Sequence, residues 1–255
     1  MTRHRLLVIA GAAAFLLALV ARLPATVALA WAPNASFQPS GVTGTLWRGG
    51  FAAAGAGALR LGPTTWRLSV PALFLGRLQG TVETQVGSGT ASGVVALGIG
   101  GTVSCRDCRY AGPAASLRSL IPMLATVDGR LDLSLAELAV RDRWPVRVTG
   151  AATVTGVALA VPGAPLTPAT PRANFTARVD ADPVGDDGII VAEIADDGGP
   201  LQLQASLTLT PPGSFEASGR ALARPEAPPT LAAALGMLGR PGPDGAIDIS
   251  FAGSF

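Results

Sequence analysis

Lysine is absent from this chain, and histidine occurs once, as His4. Those two gaps exclude much chemistry. Nothing beyond the extreme N-terminus can form a Ser-His-Asp or Cys-His site or a histidine-containing zinc site. Serine–lysine pairs and Schiff-base lysines are excluded as well. Aromatic residues make up 5% of the chain, so any core must be built from small side chains. The basic residues other than His4 are all arginines, spread thinly with no basic cluster or stacking platform, which speaks against nucleic-acid binding. The glycine clusters at 55–57 and 98–101 do not complete a dinucleotide fingerprint. No cofactor is expected. In DADPVGDDG, Asp180 and Asp182 have the spacing of a calcium loop, but Val184 and Val191 stand where further ligands are needed, so a solvated turn is expected. Composition leaves room for a glycosidase-type carboxylate pair, yet the acidic residues fall in turns or on the wet side of strands.

Cysteine is scarce too: Cys105 and Cys108 are the two in the chain. In an exported protein a C-x-x-C that follows a glycine-rich strand reads as a local disulfide. The four residues are expected to turn, because an extended strand holds the sulfurs too far apart.

What the chain does have begins with apolar residues. Arg3, His4 and Arg5 precede LLVIAGAAAFLLALVA, residues 6–21. As a helix this run spans about 24 Å, slightly short of a hydrocarbon core of about 30 Å. Arg22 can snorkel, and Leu23 with the stretch after Pro24 can complete the span. The preceding positive charges place the N-terminus in the cytoplasm and export the rest. A cleaved signal peptide is the rival reading, with Ala28-Leu29-Ala30 as the small-residue site before Trp31. The expected organisation is a cytoplasmic tail at 1–5, a membrane anchor or signal-like segment at 6–30, and a β domain at 31–255. The anchor is expected to be retained as a single pass, with the bulk of the chain outside the cytoplasm.

The 32 glycines and 21 prolines punctuate a series of alternating runs. LQLQASLTLT, residues 201–210, is the cleanest strand, with EASGRALAR as its hairpin partner. Trp66, Leu68 and Val70 alternate with polar residues, as do Leu78, Val82, Thr84 and Val86. Val146, Val148 and Val154 suggest a strand pair around Gly150, and residues 161–174 a proline-rich loop. The fold class is therefore mainly β: a curved antiparallel sheet or half-barrel, with one wet face and two short helices. Those helices are PAASLRSLIPML, with Leu117, Leu120, Ile121 and Leu124 on one stripe, and PPTLAAALGMLG, with Leu231, Ala234, Leu235 and Leu238. Thr230 is the candidate N-cap of the second. Each helix is followed by an Asp-Gly turn and a strand: Asp128-Gly129 before LDLSL, and Asp244-Gly245 before IDISF, 116 residues later. This order suggests an internal duplication, with repeats of about 31–142 and 143–255.

The block Ser40-Gly41-Val42-Thr43-Gly44-Thr45-Leu46-Trp47-Arg48-Gly49-Gly50 precedes Trp66-Arg67-Leu68, Pro71-Ala72-Leu73 and Gly76-Arg77-Leu78. Together these resemble the type II secretion system protein N family. The motif positions are Gly44, Thr45, Leu46, Trp47, Gly49 and Trp66. The resemblance implies a non-catalytic inner-membrane component of the type II secretion apparatus, with other apparatus proteins and the membrane as partners. Read from the residues alone, Trp47 and Trp66 are core anchors, and an exposed Trp47 would be a contact for a partner. A lipid is the alternative partner, because an open face lined by Ala, Gly and Val can hold an acyl chain.

Overall fold

A computed structural model of the protein describes residues 11, 15, 18–30, 37–56, 59–74, 76–98, 100–119, 127–159 and 170–254. Most of the apolar run at 6–21, the stretch 31–36, residues Leu120, Ile121 and Leu124 of the first expected helix, and most of the proline-rich loop lie outside the described residues.

The chain is mainly β. Fifteen strands form one antiparallel sheet: β1 (Phe37–Ser40), β2 (Thr43–Gly44), β3 (Arg48–Phe51), β4 (Ala53–Ala56), β5 (Leu59–Leu68), β6 (Arg77–Val86), β7 (Gly89–Gly98), β8 (Val103–Pro113), β9 (Arg130–Arg141), β10 (Trp144–Ala158), β11 (Arg172–Ala181), β12 (Ile190–Asp196), β13 (Leu201–Thr210), β14 (Ser214–Ala223) and β15 (Ile247–Ser254). From β5 to β15 each strand pairs with the next, as short connections between alternating runs require. The sheet is not closed; it branches at β5, and β1, β2 and β15 each have a single strand partner.

Alternation sorts the two faces. On one face, register runs from Trp66 to Val82 to Gly93, then from Leu135 through Gly150, Val179, Ala192, Leu207 and Ala217 to Phe251. The row behind it reads Thr65, Glu83, Ser92, Arg109, Ser134, Ala151, Arg178, Glu193, Ser206, Ser218 and Ser250. A period of two thus yields one apolar and one polar face over the whole sheet.

Two plugs cover parts of the apolar face. A 3₁₀ turn at Ala114–Leu117 leads from β8 to β9 and packs Leu117 with Val86, Tyr110 and Leu131. Helix α3 (Pro229–Leu238) leads from β14 to β15 and packs Leu231 and Leu235 with Leu201, Ala221 and Ile247. Register places both plugs at the same end of the sheet. In both places a helical element precedes a strand that pairs with the strand before that element, but the first element is a four-residue 3₁₀ turn and the second a ten-residue α-helix. The two Asp-Gly pairs differ. Gly245 is left-handed at φ 78°, whereas Gly129 is not among the positive-φ residues. Gly129 is instead a site of close approach, since a Cβ there would lie 2.9 Å from the Thr155 carbonyl oxygen.

Several expectations need correction. Val70 is not in a strand: β5 ends at Leu68, and Val70 opens helix α2 (Val70–Phe74), whose second residue, Pro71, suits a helix start. A further short helix, α1, covers Ala25–Ala30. The N-cap of α3 is Pro228, not Thr230, which lies inside the helix. Arg172–Asn174 belong to β11 rather than to a loop. Residues 144–158 are one strand, and Gly150 marks a register shift within it, where a Cβ would lie 2.5 Å from the Ser134 carbonyl oxygen. No helix among the described residues is long and apolar enough to cross a membrane.

Candidate functional site

The family-like block forms a tight hairpin. Gly44 pairs with Gly49, and the Thr45 N–H donates to the Arg48 carbonyl at 2.8 Å. Gly44 has φ 85°, and a Cβ there would sit 2.5 Å from the Arg48 carbonyl oxygen, so the turn needs glycine twice over. The Thr45 hydroxyl accepts from the Arg48 N–H at 3.2 Å.

This hairpin holds the chain leaving the apolar segment. The Trp47 indole N–H donates to the Val20 carbonyl at 2.8 Å. The Leu46 N–H donates to the Leu23 carbonyl at 2.9 Å, and Pro24 bridges Thr45. Proline cannot continue the preceding helix, so the chain breaks at Leu23 and Pro24, which lie along the turn before α1 begins at Ala25. Ala25 is buried against it.

Trp66 supports the hairpin from β5. Its indole N–H donates to the Leu46 carbonyl at 2.9 Å. Gly49 is its cross-strand partner, and a Cβ at Gly49 would come within 2.6 Å of the Trp66 ring. Phe51 packs on Trp66 with ring centres 6.1 Å apart, and Phe37 stands edge-on to Phe51 at 5.7 Å. Both tryptophans are half-buried. All six motif positions therefore meet in one clamp. Sequence reasoning missed its other jaw, Val20–Ala25. The available signal was Pro24, which ends a helix within reach of a glycine-flanked turn.

Beside the clamp, the apolar face forms a hollow of about 390 Å³, lined by Ala25, Phe37, Leu46, Phe51, Leu61, Thr64, Trp66, Leu68, Val82 and Thr84. Thr64 is buried, and its hydroxyl is satisfied by Thr84 at 2.6 Å and by the Gly62 carbonyl at 3.0 Å. A second hollow of about 270 Å³ shares Val82 and Thr84 and runs on to Cys105, Cys108, Tyr110 and Leu133. Besides Thr64, Thr84 and Tyr110, the polar side chains lining the two hollows are Ser92 and Arg109.

Cys105 and Cys108 are joined as a disulfide with Cα atoms 6.0 Å apart. They lie within β8 rather than in a turn. An extra residue in β8 opposite β7, with Asp107 at φ 50°, puts both sulfurs on the apolar face. β9 carries a matching shift against β10. Gly93 makes room, because a Cβ there would be 2.3 Å from the Cys108 sulfur.

The charged groups cluster elsewhere. At the plugged end, Asp128 faces Arg172 at 3.6 Å, and Asp244 faces Arg220 at 2.6 Å while its other oxygen accepts from the Ala246 N–H. The Ala246 N–H, helped by Arg220, holds the Asp244 carboxyl below the usual range against the opposing effect of desolvation. Burial pushes the Asp196 carboxyl up, but the Leu203 N–H at 2.8 Å and the Arg224 guanidinium at 2.5 Å outweigh it and leave it below the usual range. These are structural ion pairs. Asp182, from the calcium-like stretch, is bound to Arg147 at 2.5 Å. Among the described residues no group of three His, Cys, Asp or Glu is placed to hold a metal ion.

No solved structure matches the chain. A curated relative, "Type II secretion system protein N" of Vibrio cholerae serotype O1, is 25% identical over 232 residues, covering 89% of this chain and 88% of its own. The family profile described as "Type II secretion system (T2SS), protein N" matches residues 35–250, which include the clamp hairpin, its Trp66 support and all but the last strand residues. The chain belongs to the type II secretion system protein N family.

Proposed function

We propose that this protein is a non-catalytic, inner-membrane component of the type II secretion apparatus, with a cytoplasmic N-terminus and a periplasmic sheet. The observation that carries this reading is the clamp. The block that carries the family resemblance holds residues 20–25 against the sheet, through Trp47 to Val20 and Leu46 to Leu23. A rigid exit from an apolar segment suits a protein that presents a surface at a fixed height above a membrane. The disulfide favours an oxidising compartment. Partners within the apparatus would add strands to the open edges at β1 and β15. The like placement of the two plugs, each between strands that pair with each other, favours repeats of about 31–142 and 143–255. Deleting the gene should leave folded exported enzymes in the periplasm, and the intact gene should restore them to the medium. Normal secretion in the deletion strain would overturn the reading.

The apolar face favours a second reading, lipid handling. The two adjoining hollows have apolar walls, and Val95, Leu97 and Val103 extend the face with 36%, 47% and 45% exposure. Lipid retained by the detergent-purified protein through exchange into lipid-free buffer would support it. A lipid-free preparation of the same stability would end it.

A further inference from the structure

We infer that the clamp end of the sheet, from β2 to β8, is a docking surface for an anionic phospholipid bilayer. This rests on the anchored reading above and assigns which part of the sheet meets the membrane. Charge is the first argument. Glu83 is the first acidic residue of the chain and Asp107 the second, while Arg22, Arg48, Arg67 and Arg77 all precede them. The fold turns that linear bias into a surface. Arg48 is the direct cross-strand partner of Arg67. Arg77 opens β6 at the same end, and Arg22 lies between Val20 and Leu23, the two residues the clamp grips. All four are exposed, and none is in an ion pair among the described residues. Like charges directly opposite each other in an antiparallel pair are unfavourable, and Glu83, which lines the same hollow, forms an ion pair with neither, so one carboxylate stands among two cations and the group keeps a net positive charge that an external anion would balance. At the plugged end Arg130, Arg172, Arg220 and Arg224 each have a carboxylate, while Arg60, Arg118 and Arg240 have none among the described residues, so the clamp end differs in placing two unpaired arginines directly opposite each other.

Apolar exposure is the second argument. Val70 and Leu73 of α2 are 45% and 40% exposed, and Leu78 is 44% exposed on the adjoining strand. Register carries the rim on from Leu78 to Leu97 and from Leu97 to Val103. The arginines project from the polar face and Leu78, Leu97 and Val103 from the apolar face, so cations and aliphatic side chains meet at the rim of the sheet, an arrangement that suits the headgroup–acyl boundary of an anionic leaflet. Continuity is the third argument, since the Trp47 indole ties this rim to the apolar segment. The acidic groups at the same end, Asp142, Asp182, Asp186 and Asp187, lie in the connections from β9 to β12 and bound the surface on that side.

The test uses the full chain in phosphatidylcholine vesicles with and without phosphatidylglycerol. A fluorophore is attached at Leu73→Cys or, at the plugged end, at Met237→Cys, which is 79% exposed. With Cys105 and Cys108 paired, the added thiol takes the label. Lipid-borne quencher should quench the probe at position 73, more strongly with phosphatidylglycerol, and spare the probe at 237. Each arginine at an anionic surface contributes roughly fivefold to association, so Arg48→Glu with Arg67→Glu should remove the phosphatidylglycerol dependence. Equal quenching at the two positions, or none at 73 in a chain that floats with the vesicles, would overturn the docking surface and leave the anchor standing. A chain that does not float would overturn both.

Discussion

Trp66 joins three parts of the clamp: its ring covers Gly49 and meets Phe51, and its N–H holds the Leu46 carbonyl. Trp66→Ala removes a half-buried ring and should cost about 2–3 kcal/mol, read as a lower urea midpoint of the full chain in detergent. Gly93→Val should prevent the disulfide from closing, because its Cβ would overlap the Cys108 sulfur; thiol titration of the variant should then find two reactive cysteines. Asp196 predicts the acid limb of stability. Its carboxyl is held below the value of about 3.9 found in an unfolded chain. Its contribution is therefore complete above that value and lost as pH falls through the lower folded value. Asp196→Asn should flatten the fall in stability below about pH 4, and acid titration of the unfolding midpoint checks it. Some of this residue scale was legible in the sequence. The alternation of Leu201 to Leu209 assigns faces by itself, and two tryptophans beside glycines read as anchors. The pairing of Gly93 with the disulfide was not legible, because it depends on which residue a neighbouring strand brings opposite.

Among the elements, strands were easier to read than their irregularities. β13 and β14 follow from period two, but the paired shifts in β8 and β9 do not, since one extra residue looks like ordinary sequence. Yet those shifts put Cys105 and Cys108 on one face, where strict alternation would put them on opposite faces. Helix α2 was missed because Val70 continues an apolar–polar alternation, while Pro71 after Ser69 ends it. Helix α3 was legible through its stripe, and Leu231 and Leu235 are both buried, each 7% exposed. Leu235→Ala should cost about 2–3 kcal/mol, and thermal unfolding followed by circular dichroism checks it. The same change at Met237, which is exposed, should have little effect.

At the scale of the whole molecule, the fold separates three properties that the sequence interleaves. One face of the sheet is apolar and the other polar. One end is covered by helical plugs and holds four arginine–carboxylate pairs, and the other carries the clamp and the facing pair Arg48 and Arg67. This last contrast was hidden in the sequence, where arginines look thinly spread, because strand pairing brings Arg48 to Arg67 across 19 residues. Placement of the clamp at the exit of an apolar segment joins this architecture to secretion. The most direct measurement follows a folded exported enzyme in a host lacking this gene, complemented by the intact chain or by a chain carrying Trp47→Ala and Trp66→Ala. Immunoblotting confirms equal amounts of both in the membrane fraction. The account predicts that the intact chain returns the enzyme to the medium and that the clamp variant leaves it in the periplasm. Equal restoration by the two chains would contradict it.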